Sequence, residues 1–166
     1  MKKLVVLIFL AFLFSCNKDV VFEDFPEDNL KSAKIITKNI VFKDMQGNFR
    51  YEANPGDATC PMYAFTSGTG NVTHLGKSHF QNKYCCNEFG TPIQFIEGYV
   101  QAANGDKFFT NPTGKSIHVD GEQYGEFIII GGTGRFENCS GEIYMTSKIN
   151  WGTNALTAKG FGTISY

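Results

Sequence analysis

The chain has 166 residues, enough for one domain and too few for a second core. Setting aside an apolar N-terminal stretch of 15 residues, 13 Lys and Arg stand against 16 Asp and Glu, a balance of −3 that excludes an electrostatic nucleic-acid binder. The other 151 residues hold 3 Leu against 12 Ile, 13 Phe and 7 Tyr, with 18 Gly; this excludes a helical bundle and a doubly wound α/β enzyme and favours an all-β domain.

Lys2 and Lys3 precede eleven uninterrupted apolar residues, Leu4 to Phe14. That run is shorter than the ~20 residues needed to span a bilayer but suits the apolar part of an export signal. Leu13-Phe14-Ser15-Cys16 resembles the lipobox of bacterial lipoproteins. The resemblance implies cleavage between Ser15 and Cys16, lipidation of Cys16 and a membrane as partner. Each buried CH₂ of an acyl chain would contribute about 0.8 kcal/mol to that anchor. Asn17 after the cysteine resembles the sorting signal for the outer membrane. Glu23, Asp24, Glu27 and Asp28 loosely resemble the surface-export signals of Bacteroidota lipoproteins. The expected organisation is a lipoprotein signal over 1–15, an acidic flexible tether over 16–33 and a β-domain over 34–166. The expected location is the cell envelope, at the outer membrane.

Strand signals then recur between Gly, Pro and Asn clusters. Ile35–Lys43 comes first, and a turn at Gln46-Gly47-Asn48 leads into Phe49–Ala53. Asn54-Pro55-Gly56-Asp57 breaks the chain. Met62–Thr69 and Val72–Tyr84 join near Gly70-Asn71. Even positions of Val72–Tyr84 form the more apolar, inward face. His74 then points inward as an acid–base or ligand-contact candidate, and His79 lies on the opposite face, so the two share no metal. Ile93–Ala103 meets Lys107–Asn111 across Asn104-Gly105, a type I′ hairpin signal, with Asp106 beside it. Glu97 has Phe95 and Tyr99 at two-residue spacing. On an inward face it would be a buried acid of raised pKa. Phe127–Ile130 reads as a continuous core strand. Glu142–Trp151 alternates, with Ile143, Met145, Ile149 and Trp151 on one face, and Thr157–Tyr166 closes the chain. Eight or nine strands with short turns give an antiparallel barrel, with a sandwich as the alternative.

Cys60, Cys85, Cys86 and Cys139 remain beside Cys16. Export favours two disulfides among them. A vicinal bridge strains the intervening peptide, so Cys60 and Cys139 are each expected to take one of the adjacent pair. No CxxC occurs and no metal site is expected. Gly114-Lys115-Ser116 has Phe109 where a phosphate loop needs glycine, and Gly132-Thr133-Gly134 has Glu137 where a dinucleotide fingerprint needs one; no cofactor is expected.

Gly131-Gly132-Thr133-Gly134-Arg135-Phe136, with Ser140-Gly141 behind it, resembles the GGTGxF…G signature of the allene oxide cyclase and dirigent barrel families. It also resembles small bacterial lipoproteins that share that barrel. The resemblance implies an eight-stranded antiparallel barrel. The families cyclise an unstable epoxide or steer radical coupling, and none of their functional residues carries over to this chain. Read physically, the glycines permit a sharp turn and close packing, and Phe136 plugs one end of the barrel. The sharper alternative is a glycine nest that holds an anion beside Arg135. An eight-stranded barrel either holds one small ligand or fills with its own side chains. The expected function is thus a non-catalytic barrel that is structural or binds a small hydrophobic ligand. The alternatives are a cofactor-free isomerase or cyclase using His74 and Glu97, and a surface module contacting protein or glycan. The oligomeric state stays open.

Overall fold

The computed structural model describes residues 35–166. The expectations for Ser15, Cys16 and the acidic tether lie outside the described residues. Eight strands follow in order: β1 (Thr37–Ala53), β2 (Met62–Val72), β3 (Gly76–Cys86), β4 (Pro92–Gln101), β5 (Lys107–Val119), β6 (Glu122–Gly132), β7 (Ser140–Asn150) and β8 (Ala155–Ser165). Each pairs antiparallel with the next, and β8 returns to β1, so the sheet closes into the expected eight-stranded barrel. The β2–β3, β4–β5 and β6–β7 connections lie at one end, here called the closed end. The other four connections lie at the open end.

Period-two alternation builds the interior, and a bulge adjusts it in β1. Asp44 takes a left-handed conformation (φ 51°), and the register shifts between Lys43 and Gln46. Phe42 and Met45, three residues apart, are therefore both buried. The turn expected at Gln46-Gly47-Asn48 does not form; β1 runs straight through it. Gly47 is there for close approach, since a Cβ would strike the backbone of Ser67 and Gly68 on β2.

Three further expectations are corrected. The β2–β3 hairpin turns at Thr73-His74-Leu75, not at Gly70-Asn71, which pair within the ladder. The Asn104-Gly105 hairpin forms, but only Gly105 has positive φ (92°), and its N–H donates to the Ala102 carbonyl (2.9 Å); a type I′ turn would need Asn104 left-handed as well. Phe127–Ile130 is not buried throughout. Ile129 faces the core, while Ile128 and Ile130 face outward, as strand alternation requires.

The core has two parts. The larger fills the closed end and includes Ile40, Phe42, Phe108, Phe136, Cys139 and Ile164. The smaller lies towards the open end around Phe49, Ala64 and Cys86. This division settles the cysteines. Cys60 and Cys85 form a disulfide with Cα atoms 5.4 Å apart. The expected second bridge is absent: Cys86 and Cys139 are free and buried in different core clusters. Burial pushes both thiols up from their ordinary pKa. Asp57 fixes the loop that carries Cys60, accepting from the Thr59 hydroxyl (2.6 Å), the Thr59 N–H (2.9 Å) and the Cys60 N–H (3.0 Å). These bonds hold its carboxyl below the usual range.

Candidate ligand cavity

The glycine-rich turn seals the closed end. A short 3₁₀ turn, Gly134–Phe136, follows β6. Phe136 has no exposed surface, and its ring meets Phe108 (5.8 Å) and Tyr166 (5.5 Å) edge-on. Gly132 permits this, because a Cβ would press on Phe136 and on the backbone of Lys107 and Phe108. Gly134 has φ 56°, and a Cβ there would overlap the Asp106 carboxylate. Asp106 accepts from the Arg135 N–H (3.4 Å), and the Arg135 guanidinium lies 3.9 Å from the same oxygen. The place where a glycine nest would take an anion is filled by the chain's own carboxylate. Arg135, Asn104, Gly105 and Asp106 thus belong to one solvent-facing corner, in which the Asp106 carboxylate also accepts from Asn104 Nδ2 (2.7 Å).

At the open end the barrel is not filled. A cavity of about 380 Å³ enters it, within the range of small-molecule sites. Phe80, Phe127 and Met145 lie at its lower end, against the closed-end core. Phe49, Ile149 and Leu156 line the apolar wall, and Trp151 stands beside the mouth, its ring 5.4 Å from that of Phe49. Polar groups interrupt this wall at few places. Thr66 and Asn82 face each other across β2 and β3, and Asn82 Nδ2 donates to Thr66 Oγ1 (3.1 Å). Tyr84 follows two residues later on the same inward face, its ring edge-on to Phe95 at 5.2 Å. Burial pushes the Tyr84 phenol up to about 12. Tyr51, whose phenol donates to the Gly90 carbonyl (3.1 Å), His118 and Gln123, paired across β5 and β6, and Ser147 complete the polar lining.

The two acid–base candidates are not brought together. His74 sits at the tip of the β2–β3 turn, left-handed (φ 66°) and exposed, at the end opposite the cavity mouth. The expected inward placement fails because β3 begins only at Gly76. From Ser78 onward the even face of β3 does point inward. Glu97 is exposed and pairs in register with Lys83. A bulge at Ile96 is the cause: Lys83 pairs with Glu97 but Tyr84 pairs with Phe95, so one residue of β4 is skipped and Phe95 and Glu97 leave the shared face. Among the described residues no cluster of His, Cys, Asp and Glu could hold a metal.

Sequence reading singled out none of Thr66, Asn82, Tyr84 or His118 as site residues. A signal existed for two: Asn82 and Tyr84 interrupt the inward, apolar face of β3. A second concavity, about 880 Å³, lies on the outer wall, where Phe161 and Tyr144 stack (5.4 Å, 25°) beside Val41, Ile117 and Tyr124. It is larger but open to solvent, and would cover less of a small molecule than the interior cavity.

The barrel is similar to the solved structure of a pterocarpan synthase dirigent protein, with a TM-score of 0.52 at 12% identity over 79% of this chain and 84% of that one. The fold is dirigent-like. No protein-family model matches the sequence, and no curated protein matches it. The dirigent-like barrel shares an architecture with that neighbour and few residues. Its site is therefore read from its own side chains.

Proposed function

We propose that this protein is a non-catalytic binder of a small, largely apolar ligand, held inside the dirigent-like barrel. The carrying observation is the half-filled interior: one end sealed by Phe136 and its neighbours, the other hollow and lined by aromatic and aliphatic side chains. Such a lining gains roughly 25 cal/mol for each Å² of apolar surface it removes from water. Trp151, the chain's one tryptophan, stands at the mouth and supplies the assay. Titration with an apolar probe such as 1-aminoanthracene should quench Trp151 emission saturably. Ala158→Phe, which fills the cavity from β8 without adding a second tryptophan, should abolish the effect. A linear, unsaturable response in the parent protein would overturn the reading.

We further propose that the domain is held at the bacterial envelope through lipidated Cys16. Support comes from Leu13-Phe14-Ser15-Cys16 and from the Cys60–Cys85 disulfide, which suits an oxidising compartment. Cys16→Ser should abolish lipid labelling and release the protein from the membrane fraction. Unchanged labelling and fractionation would reject the anchor.

A further inference from the structure

Resting on the ligand-binding reading, we propose that the cavity selects a neutral ligand, an apolar body bearing one hydroxyl or carbonyl head. No Asp, Glu, Lys or Arg side chain lines the cavity. Charged residues of the neighbouring strands are turned away from it. On β3, Phe80, Asn82 and Tyr84 face in, while the Lys83 ammonium lies over the Tyr63 ring, 3.9 Å from its centre. Glu97 on β4 is register-paired with Lys83 and exposed. An ionised head would give up its water inside this lining, where no side chain offers a cation a counter-charge and His118 on β5 is the one lining side chain able to offer an anion one.

A neutral polar head meets partners. The Asn82–Thr66 hydrogen bond uses one amide hydrogen of Asn82 and leaves the Thr66 hydroxyl proton free to donate. The Tyr84 phenol is a protonated donor across the physiological range, as any phenol of ordinary pKa near 10 is, and burial raises its pKa further, to about 12. These three groups occupy successive inward positions of β2 and β3, facing one part of the cavity. They form a small donor-rich belt beside the aromatic and aliphatic wall, separate from the polar groups His118, Gln123 and Ser147 contributed by β5, β6 and β7. That arrangement orients a single oxygen while the rest of the molecule packs against Phe49, Phe127 and Leu156.

The test is equilibrium binding of radiolabelled decan-1-ol and decanoate to the immobilised full chain at pH 8, where decanoate is ionised. The two probes share a tail and differ in head. Decan-1-ol should bind at least ~10-fold more tightly, equivalent to about 1.4 kcal/mol. Thr66→Val with Asn82→Leu should weaken decan-1-ol by about fivefold, the loss of one hydrogen-bonding site. Retention of the Cys60–Cys85 bridge in that variant, read by mass, checks that it has folded. Equal affinity for both probes, or a preference for decanoate, would overturn the selection of a neutral head while leaving ligand binding intact. Binding of neither probe, with no saturable Trp151 response to 1-aminoanthracene, would remove the ligand-binding reading and this inference together.

Discussion

Removing the Cys60–Cys85 bridge has a cost that follows from the chain length it closes. The two residues are 25 apart in sequence. For a loop of that size, the lost freedom of the unfolded chain corresponds to about 3.5 kcal/mol at 25 °C. A domain of this kind has roughly 5–15 kcal/mol in all. The double variant Cys60→Ala, Cys85→Ala should therefore lose a large share of its stability. At ~2–4 °C per kcal/mol, the melting temperature should fall by about 7–14 °C. Guanidinium denaturation followed by Trp151 emission reads the same loss as a lower midpoint. Wild-type protein treated with dithiothreitol should move as far as the variant. Alkylation of the denatured, unreduced protein should label Cys86 and Cys139 and spare Cys60 and Cys85. Labelling of all four, or a midpoint that reduction leaves in place, would refute the assigned bridge.

Phe136→Ala should cost about 3–5 kcal/mol in thermal or chemical denaturation, because a fully buried ring between Phe108 and Tyr166 leaves a cavity in a closed core. A loss under about 1 kcal/mol would mean the closed end is loosely packed. Tyr84 should ionise late in a spectrophotometric titration, near pH 12. Its folded pKa lies above the ordinary value near 10, so its contribution is complete below pH ~10 and is lost as pH rises through 12, up to about 2–3 kcal/mol. Tyr84→Phe should remove this part of the alkaline loss; an identical alkaline profile would count against a buried phenol.

Strand content, antiparallel order and the sealing role of Phe136 were legible because each rests on a local pattern: β-branched and aromatic alternation, short turns, and glycines before an aromatic residue. The errors share a cause in glycine's two uses. Gly47 and Gly70 read as turn residues, yet both lie in strands where a Cβ would strike Ser67 and Gly68 or Met45. Nothing in one sequence separates a glycine that bends the chain from one that admits a neighbour. His74 was misplaced as a result, since moving the turn from Gly70-Asn71 to Thr73–Leu75 takes it off the strand. Glu97 was misplaced by the single skipped residue at Ile96, which only the partner strand reveals. The polar belt was partly visible as Asn82 and Tyr84 on an inward face. Thr66 joins it only through the β2–β3 register.

The ladder between β4 and β5 holds just three pairs, from Tyr99↔Phe109 to Gln101↔Lys107, all at the closed end. From there towards the mouth the two strands run apart, each bonded on its other side only. The wall is therefore slit along its hollow half. Parting the slit sacrifices no backbone pairing, so the rim can yield sideways to a bulkier guest while the sealed end stays rigid. Amide exchange should locate it: the Ile93–Glu97 protons not bonded to β3 should exchange faster than those of β7, which is paired on both sides from Gly141 to Lys148.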